Sequence, residues 1–185
     1  MSTLTMSKPK LSVKIQTLAT VTAIMAAVAV PQLFHVMGAV SGLGTSLGET
    51  FLPMHLPIII VGLLAGPYAG AVSGLIGPLC SFALSGMPGA AMLPFMMIEL
   101  CIYGLAAGLL RNIKLPTVLK VLIIQIAGRA VRAGAILIAV YAFHYEAIGI
   151  ATIWKSIPVG VFGIVLQLAL IPLIVYRVEN LKKHE

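Results

Sequence analysis

Residues 91–110 read AMLPFMMIELCIYGLAAGLL, a run with one formally charged residue, Glu99, near its middle. At 1.5 Å per residue, such a run covers about 30 Å as a helix, the thickness of a bilayer's hydrocarbon core. The stretch reads as a membrane-crossing helix. A carboxylate inside it is costly to keep, so it needs a partner, a ligand or both.

Similar runs lie on both sides of it. Downstream, the basic connector Arg111 to Pro116 leads to an apolar segment over about 117–143, and a further one follows over about 153–176. Upstream, Ser85-Gly86-Met87-Pro88-Gly89 is a turn after a segment over 68–85, which Gly66-Pro67 divides from another over 51–66. Residues 38–50 are rich in Gly, Ser and Thr and are expected to form a loop long enough to cover a site, and the first apolar run covers 15–37. The expected fold is all-α: a six-transmembrane-helix bundle forming a single integral membrane domain over residues 1–185.

Composition agrees with that reading. The chain is 60% hydrophobic and 9% charged, and its mean hydropathy of +1.10 excludes a water-soluble domain. A net charge of +7 can signal nucleic acid, but the basic residues flank apolar runs and form no basic amphipathic face. The pattern is a topology signal. Lys8, Lys10 and Lys14, then Arg111, Lys114 and Lys120, then Arg177, Lys182 and Lys183 all fall at alternate segment ends, which leaves Lys155 alone at the opposite ends. By the positive-inside rule both termini are expected in the cytoplasm, and residues 38–50, the Gly86 turn and residues 145–152 outside. The start of the chain also has the make-up of a signal peptide, with Ala27-Val28-Ala29 as its cleavage site, but the apolar run continues past that point and is read as a retained helix. Cys80 and Cys101 lie within apolar runs without metal-ligand spacing, so no metal or cofactor is expected, and both cysteines read as core residues.

Three charges lie inside the apolar segments: Glu99, Arg129 and Arg132. Counted from the outer segment ends, Glu99 is about 10 Å deep, and Arg132 and Arg129 about 16 and 21 Å. Arg129 and Arg132 share a helix face at spacing three, and either arginine is within reach of Glu99 if the two helices meet. A buried ion pair fixing helix register accounts for one arginine. The other leaves a surplus positive charge for helix carbonyls or for an acidic ligand, with Arg132, nearer the outer face, the sharper candidate. Tyr103 follows Glu99 at i+4. His55 stands between Pro53 and Pro57, where the backbone is irregular; His35, His144, Tyr141 and Trp154 read as interfacial residues. Ala19, Ala23 and Ala27 share one helix face, suited either to packing inside the bundle or to a partner helix. Gly62, Gly66, Gly70 and Gly74 are expected to let the 51–66 and 68–85 helices pack closely.

Met54-His55-Leu56-Pro57, Gly66-Pro67-x-x-Gly70, Pro78-Leu79, Gly86-Met87-Pro88, Glu99-Leu100-x-x-Tyr103-Gly104-x-x-x-Gly108-Leu109-Leu110 and Gly128-Arg129 occur in that order over most of residues 50–134. This pattern resembles the S components, the substrate-binding membrane subunits, of energy-coupling-factor (ECF) vitamin transporters. The resemblance implies a high-affinity subunit of an ABC-type importer in a prokaryotic cell membrane, capturing a vitamin or related micronutrient at the extracellular side. It also implies docking to a transmembrane coupling protein and two ATPase subunits, with Ala19, Ala23 and Ala27 matching the alanine motif that contacts the coupling protein. Family sites involve the outer loops and the last three helices, which makes Glu99, Tyr103, Arg129, Arg132, His55 and Gln167 candidate substrate-binding residues.

The chain contains no GxxxxGK[ST] phosphate loop, so the resemblance and the sequence agree that ATP hydrolysis is supplied in trans and that the chain is not an enzyme. A proton- or ion-coupled secondary transporter is the alternative, and it would be expected to show repeat symmetry that this sequence lacks. An intramembrane serine enzyme finds Ser73, Ser85 and His144 but no GxSxG elbow.

Overall fold

The computed structural model describes residues 11–44 and 46–181. Lys8, Lys10, Lys182 and Lys183, which carry part of the orientation argument, lie outside the described residues. The elements are α1 (Val13–Ser41), α2 (Ser46–Phe51), α3 (His55–Ala65), α4 (Pro67–Ser85), α5 (Leu93–Leu110), α6 (Thr117–Phe143), α7 (Ala151–Val159) and α8 (Val161–Leu181). No strand occurs among the described residues. Six segments are long and apolar enough to cross a membrane, with α2 and α3 together making one of them. Six crossings return the two ends of the bundle's chain to the same face.

The expected segments are all present, and three details are corrected. Residues 38–50 are mostly helical: α1 continues to Ser41 and α2 begins at Ser46. α1 stops where Gly42 turns left-handed, at φ 74°, and the Leu43 and Gly44 amides close back onto the Gly38 carbonyl at 2.9 and 3.0 Å. The remaining loop is short. Second, the 51–66 helix is broken after Phe51, where Leu52 adopts φ 49° and α3 restarts at His55. Third, the last segment is two helices, because Pro158 removes an amide donor near the end of α7 and the chain restarts as α8 at Val161.

The glycine series packs a different pair from the expected one. A Cβ at Gly70 would stand 2.2 Å from the Gly104 carbonyl oxygen, one at Gly74 would stand 2.1 Å from that of Leu100, and one at Gly108 would meet Pro67 at 2.1 Å. α4 therefore lies backbone to backbone on α5, and Gly62 of α3 meets α5 at Gly104 and Ala107. Gly66, at φ 113°, turns the chain so that α4 starts at Pro67 with this small-residue face toward α5.

α5 is consequently the central helix, in contact with α3, α4 and α6, while α1 lies across α3 and α4, and α8 closes against α6 and α3. Ile58, Ile59 and Leu63 of α3, Leu100 and Tyr103 of α5, Ile124 of α6 and Ile171 of α8 form the main buried cluster. The alanine face of α1 points into this bundle. Ala27 is fully buried in the main cluster, Ala23 packs with Val61, Ala65 and Ala69, and Ala19 alone remains partly exposed. In this structure the small residues serve packing of α1 on α3 and α4, and Ala23 and Ala27 offer no free surface to a partner.

Candidate functional site

Glu99 is brought into the centre of the bundle by α5 and is 1% exposed. Tyr103, one turn on, donates its hydroxyl to Glu99 Oε1 at 2.9 Å, and Arg132 of α6 donates Nη1 to Glu99 Oε2 at 2.9 Å. Both carboxylate oxygens thus have donors, which the low-dielectric surroundings of an intramembrane carboxylate require. Tyr103 reaches this position because Gly128 leaves a notch in α6: a Cβ there would stand 1.9 Å from the tyrosine ring. The His55 ring packs on that of Tyr103, with centroids 5.3 Å apart.

Arg132 is therefore the arginine that pairs with Glu99. Arg129, one turn deeper, reaches the break between α7 and α8. Its Nη1 donates to the Ser156 carbonyl at 3.4 Å, and its Nε is buried with no hydrogen-bond partner. Gly160 makes room for it, since a Cβ at that position would lie 2.8 Å from Arg129 Nη2.

These groups wall a cavity of about 710 Å³ at one end of the bundle. Its volume is within the range of about 300–1,000 Å³ usual for small-molecule sites. Its walls come from the α2–α3 break (Leu52 to His55), the α4–α5 turn (Met87, Pro88, Gly89), Met92, Met96 and Glu99 of α5, both intramembrane arginines, and Thr152, Lys155 and Ser156 of α7. Pro31 and His35 of α1, Glu49 of α2 and Ser81 of α4 complete it. The α2–α3 break, the α4–α5 turn and the end of α7 therefore face this cavity, as expected where irregular backbone at membrane depth must line a polar space.

Of the candidates named from sequence, Glu99, Arg129, Arg132 and His55 line the cavity. Tyr103 and Gln167 are placed behind its wall. Gln167 takes a hydrogen bond from Gln125 Nε2 and donates its own Nε2 to the Leu52 carbonyl at 3.3 Å, so it steadies the α2–α3 break. Trp154 and Tyr141 are each 69% exposed and do not reach the cavity. The sequence reading passed over Glu49, Ser81, Lys155, Met92 and Met96 as site residues, and kept His35 as an interfacial residue. Lys155 did carry a signal, as the one basic residue set apart by the charge asymmetry; a lone serine or methionine in an apolar run carries none.

A charged cavity at membrane depth walled by helix breaks suits a binding subunit. The family model for the substrate-specific component of ECF transporters matches residues 14–175. The chain belongs to that family. It is an S component, a substrate-binding transport subunit and not an enzyme, in a multi-pass membrane protein whose ATP hydrolysis is carried out by partner subunits. Comparisons with curated proteins and with solved structures each returned no match. At the opposite end of this S component a smaller cleft of about 210 Å³ is lined by Arg111, Lys120 and Glu179. Burial there pulls the Arg111 guanidinium below its ordinary range, and the Glu179 carboxylate opposes that shift.

Proposed function

We propose that this S component captures a vitamin or related micronutrient from outside a prokaryotic cell and releases it inward after docking to an ATP-driven coupling module. The observation that carries the reading is the cavity of about 710 Å³ with the Glu99–Arg132 pair in its wall. The basic residues at the opposite face support an extracellular orientation for that cavity under the positive-inside rule, with both termini cytoplasmic. Within the site, Arg129, Arg132, Glu99 and His55 are proposed to face the ligand, and Tyr103 and Gln167 to hold those groups in position.

Docking to one transmembrane coupling protein and two ATPase subunits follows from the family. Ala19 is the one residue of the alanine face that retains partial exposure for such a contact. Transport in vesicles tests the whole reading. Accumulation of a labelled micronutrient should require co-reconstitution with the coupling module and internal ATP, and should survive collapse of proton and sodium gradients. Accumulation by the S component alone, lost with an ion gradient, would identify a secondary carrier instead.

A further inference from the structure

Resting on the reading of this cavity as the substrate site, we propose that the ligand is a monocarboxylate, anchored through its carboxylate on Arg129, with its apolar body on a methionine wall and a hydrogen-bonding group directed to Ser81. Charge matching carries the first part. The cavity walls hold three cationic groups, Arg129, Arg132 and Lys155, and two carboxylates, Glu49 and Glu99, so among these five groups one positive charge is unmatched. Arg132 is committed to Glu99 at 2.9 Å. That pair removes one charge of each sign and leaves Arg129, Lys155 and Glu49.

Arg129 has one long hydrogen bond, to a backbone carbonyl, and an unpartnered buried Nε. A guanidinium in that state has donors available in a planar fork, which a carboxylate fills with two parallel hydrogen bonds. One surplus charge matches a monoanion. A phosphate monoester would bring about −1.5 to −2 charges and leave the site negative.

The other two features fix the rest of the ligand. Met87, Met92 and Met96 line the cavity from the α4–α5 turn and α5, and their thioether side chains form a polarisable surface suited to an apolar or aromatic body. Ser81 is 1% exposed, lines the same cavity, and its Oγ has no hydrogen-bond partner. A buried hydroxyl left unpaired is costly, so a ligand hydroxyl, amide or ring nitrogen that meets it gains affinity.

The test uses the full-length chain purified into lipid nanodiscs, with titration calorimetry on matched probes: nicotinate against nicotinamide, biotin against its primary amide, pantothenate against panthenol, and pyridoxal phosphate as the dianion. Any small molecule released from the purified protein is identified by mass spectrometry and titrated beside its amide. The bound member should be an acid that outbinds its neutral partner on the order of 10- to 100-fold. Arg129→Gln should bring that ratio close to one, and Arg129→Lys should restore part of it. Gly160→Ala, which presses on Arg129 Nη2 without removing the charge, should lower the ratio too, so the test survives poor folding of the glutamine variant. Ser81→Ala should weaken acid and amide alike and leave their ratio intact.

A bound ligand that is neutral, cationic or dianionic overturns the proposal, as does an acid preference that persists in folded Arg129→Gln; the S-component reading then still stands, because the cavity holds a ligand. If no molecule is released and no probe binds, the substrate-site reading fails together with the proposal.

Discussion

At the scale of single residues, the site is a division of labour between two arginines one helical turn apart. Arg132 neutralises Glu99, and Arg129 makes a 3.4 Å hydrogen bond to the Ser156 carbonyl and buries its Nε without a partner. Removing one member of a buried ion pair leaves the other uncompensated, which costs about 3–5 kcal/mol. Glu99→Gln is therefore expected to lower the thermal unfolding midpoint in detergent sharply, and Glu99→Gln combined with Arg132→Gln to lose much less than the two single losses together. Additive losses would mean that the 2.9 Å contact does not couple them. Tyr103→Phe removes one hydrogen bond to the same carboxylate and should cost about 1.5–3 kcal/mol, the range for a bond to a charged group, with little effect on ligand selectivity. Glu99, Arg129, Arg132 and His55 were legible as candidates because charge or irregular backbone inside an apolar run is conspicuous. Ser81 was not, since a lone hydroxyl in a helix usually bonds to its own backbone.

At the scale of elements, the bundle depends on where backbones touch. α4 and α5 meet through Gly70, Gly74, Gly104 and Gly108, so Gly70→Val should abolish the monodisperse peak in size-exclusion chromatography, whereas Gly89→Ala, in open space, should leave it unchanged. Gly128→Ala is expected to destabilise the fold by pressing on the Tyr103 ring, and Tyr103→Leu should recover part of the loss, measured as a shift of the unfolding midpoint. The sequence placed Gly70 and Gly74 at spacing four but assigned them to the α3–α4 contact. Spacing identifies a face of a helix; it does not identify the helix that comes to that face. The breaks at Leu52 and Pro158–Gly160 show a related limit. Pro53 and Pro57 marked irregular backbone around His55, but the break after Phe51 and the restart of α3 at His55 needed the tertiary structure, in which Gln167 of α8 donates to the Leu52 carbonyl.

At the scale of the whole molecule, the α2–α3 break, the α4–α5 turn and the end of α7 gather around one cavity, and a smaller cleft at the opposite end is lined by Arg111, by Lys120 of α6 and by Glu179 of α8. If the cavity is the route by which substrate enters, filling it should block uptake without unfolding the chain. Met92→Trp is expected to abolish ATP-dependent accumulation in vesicles while the size-exclusion profile stays that of the wild type. The sequence by itself determined the solvent, the number of crossings and the family pattern, because these rest on hydropathy, length and local turn residues, which act over one helix at a time. Only the tertiary structure decided that the alanines of α1 face inward, that α5 is the central helix, and that Arg132 rather than Arg129 answers Glu99. Those outcomes depend on how helices rotate and tilt against one another, and that is set by close packing between residues far apart in the chain.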